Sequence, residues 1–160
     1  MHNLEGIKLN DKYEIQKRLG LGGMGIVYKA WDTNTQRTVI IKFPREEIIP
    51  NNEAINVLQN ELRALREIHH GGIVSLLDQG IYNDLPYMVM PYLEGETIHE
   101  RLREDGKGLT LKQAKEIFIR ILEALDFMHR KKIYHRDISS RNVIVNFGEK
   151  DEVLDVKIID

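Results

Sequence analysis

An aspartate and an asparagine five residues apart are the strongest chemical signal in this chain. They lie in the stretch His135-Arg136-Asp137-Ile138-Ser139-Ser140-Arg141-Asn142. The carboxylate of Asp137 stays ionised near neutral pH and can orient a hydroxyl group. The amide of Asn142 offers a neutral oxygen of the hard type that Mg²⁺ prefers. A carboxylate and an amide oxygen at this spacing can orient a hydroxyl group and hold a hard divalent cation.

A glycine-rich stretch, Gly20-Leu21-Gly22-Gly23-Met24-Gly25, is the second signal. Without a Cβ atom, backbone N–H groups can approach phosphate oxygens closely, but the spacing is also typical of a plain glycine-rich hairpin turn. A dinucleotide-binding fold requires a helix directly after the glycines. The residues that follow, Ile26-Val27-Tyr28, are β-branched and aromatic, so the sequence predicts that this loop lies in a β-hairpin.

A lysine and a glutamate form the third signal. Lys42 ends a β-favouring run, where its ammonium group can turn toward phosphates or simply lie in solvent. Glu61 falls inside the apolar stripe of a predicted helix, which comprises Ala54, Leu58, Leu62, Leu65 and Ile68. A carboxylate on a buried stripe needs a partner, unless it reaches water from the edge of the stripe.

In this order the features resemble a eukaryotic-type (Hanks-type) protein kinase domain, with its glycine-rich loop, strand lysine, helix glutamate and H-R-D-x-x-x-x-N loop. The resemblance covers residues 11–160 and ends at the aspartate where Asp-Phe-Gly should begin. It implies an α+β, bilobal fold with a complete N-lobe, formed by an antiparallel sheet and one helix. Only the first part of the helical C-lobe is implied. The implied boundaries are 11–90 for the N-lobe, 91–96 for the hinge and 97–160 for the start of the C-lobe.

The resemblance also implies a role for each matching residue. Asp137 is the expected catalytic base, and Lys42, Glu61 and Arg141 are further expected catalytic residues. ATP and Mg²⁺ are the expected cofactors, with Asn142 and Asp160 as metal ligands. The expected nucleotide-binding residues are Leu19, Gly20, Leu21, Gly22, Gly23, Gly25, Val27, Ile40, Lys42, Met90, Pro91, Leu93 and Ile144. His135 is expected to be a packed, hydrogen-bonded core residue.

Three positions depart from the family pattern, and a fourth bears on substrate choice. Ile40 stands where alanine usually packs on adenine, so we expect crowding that costs about 1–3 kcal/mol of ATP binding. Pro91 lacks an N–H but keeps the carbonyl that would read adenine. Ser139 replaces a lysine usual in Ser/Thr kinases, and Arg141 stands where tyrosine kinases often have arginine. We expect Ser/Thr specificity, while Tyr or dual specificity stays open.

Composition excludes several classes of protein. With 23 Lys+Arg against 25 Asp+Glu, the net charge of −2 gives no polyanion-binding surface, so nucleic acid is not an expected partner. The absence of cysteine excludes disulfides and thiolate metal sites and fits a reducing compartment. No apolar run approaches 18 residues and the N-terminus has no signal-peptide pattern. We therefore expect a cytoplasmic location and no membrane segment in this chain.

The elements that must position these residues follow from hydrophobic periodicity. The pattern predicts strands at 13–19, 26–31, 38–42, 73–77, 86–90 and 156–159, and helices at 53–68, near 97–104 and at 111–130. The last helix carries a wide apolar stripe, formed by Ile117, Phe118, Ile121, Leu122, Leu125 and Met128. In the family such a helix is buried against later C-lobe helices.

Two functions remain open at this point. The first is a protein kinase that transfers the γ-phosphoryl group of ATP to a Ser/Thr hydroxyl of a protein substrate. The alternative is a nucleotide-binding pseudokinase or an inactive scaffolding module. Because the 111–130 stripe needs a cover, we expect the isolated chain to self-associate through exposed C-lobe surface. We also expect it to lack activity on proteins, because the resemblance ends before the family's activation loop and substrate-binding segment.

Overall fold

The computed structural model describes residues 3–22, 25–44, 66, 68–104 and 108–159. The chain divides into two compact units, one comprising Met1–Ile68 with Ser75–Tyr92 and the other His69–Val74 with Leu93–Asp160. The predicted helix at 53–68 lies outside the described residues, apart from Arg66 and Ile68. Among the described residues, no helix is both long and apolar enough to span a membrane.

The first unit is built on a six-stranded antiparallel sheet. Its strands are β1 (Lys8–Leu9), β2 (Tyr13–Gly22), β3 (Gly25–Asp32), β4 (Arg37–Pro44), β5 (Asp78–Tyr82) and β6 (Leu85–Pro91), in the spatial order β1-β2-β3-β4-β6-β5. Short turns join β1 to β2, β3 to β4 and β5 to β6. Between β3 and β4, the Asp32 Oδ1 oxygen accepts hydrogen bonds from the backbone N–H groups of Asn34 (2.9 Å) and Thr35 (3.3 Å). This aspartate turn satisfies the backbone where the ladder ends.

One face of this sheet forms the hydrophobic core of the first unit. Every second residue of the strands points into this core, including the fully buried Tyr28, Ile41, Phe43, Tyr87 and Val89. The ring centroids of Phe43 and Tyr87 lie 5.4 Å apart, and those of Phe43 and Tyr28 lie 6.1 Å apart, edge to face. The period of two that places these residues inside sends their sequence neighbours to the other face.

The predicted strand at 73–77 is wrong, because the strand that pairs with β6 is β5, which begins at Asp78. Within 73–77, Ile73 forms only an isolated bridge to Ile158. Asp78 has a low strand propensity, but it accepts hydrogen bonds from the Tyr13 hydroxyl (2.8 Å) and from Arg66 (2.7 Å). Gly80 is required because a Cβ there would overlap the Tyr87 ring. Long-range contacts therefore override the local pattern.

The described part of the second unit holds two helices and a three-stranded sheet. The helices are α1 (Ile98–Arg103) and α2 (Leu111–Arg130), and the strands are β7 (Glu96–Thr97), β8 (Val143–Phe147) and β9 (Val153–Ile158), in the order β7-β8-β9. Both helices begin with a capping box, formed by Thr97 with Glu100 and by Thr110 with Gln113. These reciprocal bonds satisfy N–H groups that a helix start leaves unpaired.

Helix α2 packs against β8 and β9 through a narrower stripe than the sequence predicted. Its buried residues on this side include Ile117, Ile121 and Ala124, which share a core with strand residues such as Val145 and Val156. Phe118 and Leu122 belong to the predicted stripe but are 63% and 61% exposed. The apolar surface of α2 thus has a covered side and an uncovered side among the described residues.

Candidate active site

The glycine-rich stretch forms the hairpin between β2 and β3, so the prediction of a hairpin is confirmed. Gly22 pairs with Gly25, and Gly20 pairs with Val27. A Cβ atom on Gly25 would overlap the backbone carbonyl of Phe43 in β4, so only glycine lets these two backbones lie so close. Gly23 lies outside the described residues.

The register of β3, β4 and β6 places four of the predicted nucleotide-binding residues on one face of the sheet. Lys42 lies opposite Val27 on one side and Met88 on the other, while Ile40 lies opposite Met90. Residues directly opposite each other, and residues two apart in one strand, share a face. Val27, Ile40, Lys42 and Met90 therefore share the face that points away from the core.

Lys42 is the one strongly buried lysine among the described residues, with 5% of its surface exposed. Removal of the ammonium group from water lowers the pKa of Lys42 to about 8. Glu61, the predicted partner of Lys42, lies outside the described residues.

The sequence also predicted nucleotide-binding roles for Leu19, Leu21, Pro91 and Leu93, and the structure places these residues differently. Leu19 and Leu21 are 48% and 55% exposed. Leu21 pairs with Ile26, whose side chain is in the core, so the register puts Leu21 on the face opposite to that of Val27. Strand β6 ends at Pro91, directly after Met90, and Pro91 pairs with Val39. Leu93 follows in an irregular segment that belongs to the second unit.

In the second unit, Asn142 closes the loop that carries Asp137. Its amide nitrogen Nδ2 donates to the backbone carbonyl of Asp137 at 2.9 Å and to the carboxylate Oδ2 at 3.0 Å. The backbone N–H of Asn142 also donates to the carbonyl of Ser139 at 3.0 Å. Both side-chain contacts use the amide nitrogen, so the Oδ1 oxygen has none among the described residues.

The other loop residues lie around this closure. Arg141 is exposed, and Ile144 is half-buried in β8, opposite Thr97 and Lys157. The ring nitrogens of His135 are buried, but within the described part of the chain neither has a hydrogen-bond partner, so the predicted bond of His135 is not found there. Asp160, the second predicted metal ligand, lies outside the described residues.

A buried arginine of the second unit was not found from the sequence. Arg101 in α1 is 6% exposed and donates through Nη1 to Glu96 (3.1 Å), through Nη2 to Asp151 (2.5 Å) and through Nε to the carbonyl of Gly108 (3.1 Å). Its guanidinium lies 4.0 Å from the centre of the Phe147 ring. These contacts join the start of β7 to the turn between β8 and β9, and so brace the strand that follows Asn142.

Comparison with known proteins adds to this geometry. A sequence profile of the protein kinase domain matches residues 13–160. The serine/threonine-protein kinase PrkC of Bacillus subtilis is 34% identical over 155 residues, which are 97% of this chain and 24% of PrkC. A probable serine/threonine-protein kinase of Clostridium acetobutylicum is 32% identical over 153 residues, or 96% of this chain and 23% of the relative. The chain thus spans about a quarter of the length of these two relatives.

Solved structures show the same fold. The kinase domain of Mycobacterium tuberculosis PknI, in a double-mutant form, matches with a TM-score of 0.82 at 19% identity, covering 100% of this chain and 62% of that one. Rad53 in complex with AMP-PNP matches with a TM-score of 0.80 at 25% identity, covering 93% of this chain and 38% of that one. The antiparallel-sheet lobe and the partial helical lobe predicted from the sequence are confirmed. Since the profile matches residues 13–160, nearly the whole chain, this protein belongs to the protein kinase domain family.

Proposed function

We propose that this chain forms the nucleotide-binding and base-carrying part of a protein kinase that transfers the γ-phosphoryl group of ATP to a Ser or Thr hydroxyl of a protein. The observation that carries the proposal is the double hydrogen bond from Asn142 to Asp137. It fixes the Asp137 carboxylate relative to the loop backbone, and phosphoryl transfer depends on such positioning. The names of the PrkC and Clostridium relatives support Ser/Thr specificity.

The described residues of the first unit fit a nucleotide on chemical grounds. Val27, Ile40 and Met90 offer apolar surface on one sheet face, suited to a purine, and Lys42 adds positive charge for phosphates. The glycines keep the hairpin backbone free of side chains, so that its N–H groups can approach phosphate oxygens. The carbonyl of Pro91 and the N–H of Leu93 are the groups we propose to read adenine.

In the proposed reaction, Asp137 accepts the proton of the substrate hydroxyl. The hydroxyl oxygen forms a bond to the γ-phosphorus while the bond from that phosphorus to the bridging oxygen breaks, and ADP leaves with the electron pair. Lys42, held by Glu61, neutralises the α- and β-phosphates. Arg141 supplies positive charge at the γ-phosphoryl group, since Ser139 replaces the lysine that often does so.

Asn142 and Asp160 are the proposed ligands of Mg²⁺. The ion, when bound, would neutralise charge that builds up between the phosphates. Asn142 fits this role because its nitrogen is used by Asp137, which leaves a hard amide oxygen for a cation. The proposal for Asp160 rests on the resemblance, because Asp160 stands where the family's Asp-Phe-Gly motif would begin.

The test compares binding and transfer in the same variants. Calorimetry with Mg·AMP-PNP measures binding, and labelled ATP measures transfer in the chain extended by the C-terminal part of the PrkC kinase domain. Lys42→Met should weaken binding about 30-fold or more, because a buried charge partner of the phosphates is lost. Lys8→Met, which removes an exposed lysine of the same sheet, is the control.

Asp137→Asn should separate the two measurements. We expect binding to change by about twofold or less while transfer falls by about 100-fold or more, since the base acts on the substrate hydroxyl. Equal loss of both would identify Asp137 as structural. Undiminished transfer by Lys42→Met would refute the assignment of the nucleotide site.

A nucleotide-binding protein without transfer activity is the second candidate, and Ser139, which replaces the lysine usual near the γ-phosphate in Ser/Thr kinases, favours it. It predicts AMP-PNP binding that depends on Lys42, together with no transfer in the extended chain. A cytoplasmic location stays a prediction.

A further inference from the structure

We propose that residues 4–9, termed the N-terminal strap, position the glycine loop, which is the glycine-rich stretch at residues 20–25. Glu5 is the residue of the strap that holds the loop in position. The strap lies before the region that matches the protein kinase domain, which begins at residue 13. The proposal rests on the proposed nucleotide site, because the glycine loop is the part of that site that the strap adjoins.

The strap continues the sheet along the outer edge of β2. Lys8 and Leu9 pair with Glu14 and Tyr13 as strand β1. Toward the N-terminus, the backbone N–H of Ile15 donates to the carbonyl of Ile7 (2.9 Å), and that of Gly6 donates to the carbonyl of Ile15 (2.8 Å). The strap is therefore fixed to the strand that leads into the glycine loop.

Apolar side chains hold the strap in place. Leu4 is 6% exposed and Leu9 is 1% exposed, and both belong to the core cluster that includes Tyr28. Ile7 packs against the same cluster. Burial of side chains of this size stabilises the strap against detachment, so its polar contacts act from a fixed position.

Strand β2 is irregular where it approaches the loop. Its pairing with β3 shifts register twice, between Ile15 and Lys17 and again between Arg18 and Gly20. Each shift leaves one residue without a cross-strand partner and bends the strand. The second shift falls directly before the first glycine of the loop, so the direction in which the loop leaves the sheet is decided at Arg18 and Leu19.

Glu5 binds the strand at this point. Its Oε1 oxygen accepts a hydrogen bond from the backbone N–H of Arg18 at 2.9 Å. Asn3 holds the same glutamate, because its Oδ1 oxygen accepts from the Glu5 N–H at 3.1 Å. The bond to Arg18 is the main reason that the pKa of Glu5 lies below its usual value. A carboxylate from the strap thus satisfies the last backbone donor before the second register shift.

The experiment measures loop order and nucleotide affinity in the whole chain. Hydrogen–deuterium exchange of the amides of Arg18, Gly20 and Gly22 reports loop order, and calorimetry with Mg·ADP reports affinity. Glu5→Ala should speed exchange at these amides and weaken Mg·ADP binding, each about three- to tenfold, the effect of losing one net hydrogen bond. Glu5→Gln keeps an oxygen acceptor and should restore both values to near those of the wild type.

Glu14→Ala is the matched control. It removes another exposed glutamate at the strap, paired with Lys8 at 3.3 Å, and should leave both measurements unchanged. The amides of β6 are the internal reference, because general destabilisation would speed their exchange as well.

Unchanged exchange at Gly20 and Gly22 in Glu5→Ala would overturn the proposal. Faster exchange with unchanged Mg·ADP affinity would also overturn it, since the strap would then order β2 without acting on the site. If the wild type does not bind Mg·ADP, the proposed function fails, and the exchange data alone decide whether Glu5 positions the loop.

Discussion

Ile40 of β4 lies directly opposite Met90 of β6 in the sheet register. Both side chains are half-buried on the face that also carries Lys42. Two bulky residues thus face each other across the surface proposed to hold the purine, and the alanine usual in the family is absent.

Ile40→Ala should tighten ATP binding, because it removes three carbons that crowd the purine. Relief of overpacking corresponds to about 1–2 kcal/mol, or roughly five- to thirtyfold in affinity. Calorimetry on the wild type and the variant measures the change. Ile81→Ala, which trims an isoleucine that is 49% exposed in β5, is the control and should have no effect. Weaker binding by Ile40→Ala would show that Ile40 packs favourably on the base.

Nucleotide binding should weaken as the pH rises past about 8, where burial places the pKa of Lys42. Above that value the ammonium group loses its proton and its attraction for phosphates, although bound phosphates will move the onset upward. Titrations of Mg·ADP from pH 7 to about pH 9.5 measure this effect. Lys42→Arg stays charged over the whole range and should show a flatter profile. An identical pH profile for both proteins would assign the effect to another group.

The same lysine should affect the stability of the unliganded protein. The pKa of Lys42 is lower in the folded state, about 8, than its ordinary value of 10.5. Between these pH values the unfolded chain binds more protons than the folded protein. The contribution of Lys42 to the free energy of unfolding therefore rises with pH and is smallest below about pH 8. Denaturant unfolding at the lower and upper ends of this pH range measures the effect. The free energy of unfolding of Lys42→Met should exceed that of the wild type by more at the lower pH. A difference that is constant with pH would contradict the assigned pKa.

Arg101→Met should lower the free energy of unfolding by about 1–3 kcal/mol, because Glu96 and Asp151 lose their shared cation. Methionine keeps much of the apolar stem that packs on Phe147, so the loss reports mainly on the charge contacts. Arg103→Met removes an exposed arginine from the same helix and serves as the control. In a double-mutant cycle, Asp151→Asn should cost less in the Arg101→Met background. Additive effects would mean that the pair contributes nothing.

The isolated chain should bind a hydrophobic dye and self-associate through the uncovered side of α2. Phe118 and Leu122, four residues apart, form neighbouring exposed apolar groups there. The double variant Phe118→Lys, Leu122→Lys should reduce both dye fluorescence and the mass measured by light scattering. Glu123→Ala, exposed on the same helix, should change neither. A monomeric wild type without dye binding would refute this prediction.

The sequence predicted those elements whose signals are local. Helix α2 was placed at residues 111–130 because its apolar residues follow a helical period, and the hairpin at Gly20–Gly25 followed from the strand-forming residues after the glycines. Strand β5 was misplaced because its Asp-Gln-Gly start is stabilised by Tyr13 and Arg66, which are distant in sequence. Arg101 was missed for the same reason, since 50 residues separate it from Asp151. No short pattern encodes such a contact.

The alternation along β4 restricts where this family can accept insertions and deletions. Lys42 and Phe43 are neighbours that point to opposite faces, one toward the proposed phosphate site and one into the core. A single residue inserted within β4 ahead of them would exchange their directions, with the ammonium group among Tyr28 and Tyr87 and the phenyl ring in its place. An added residue in the turn after Asp32 would leave this parity intact. Length variation among related chains should therefore concentrate in that turn and be absent from the strand.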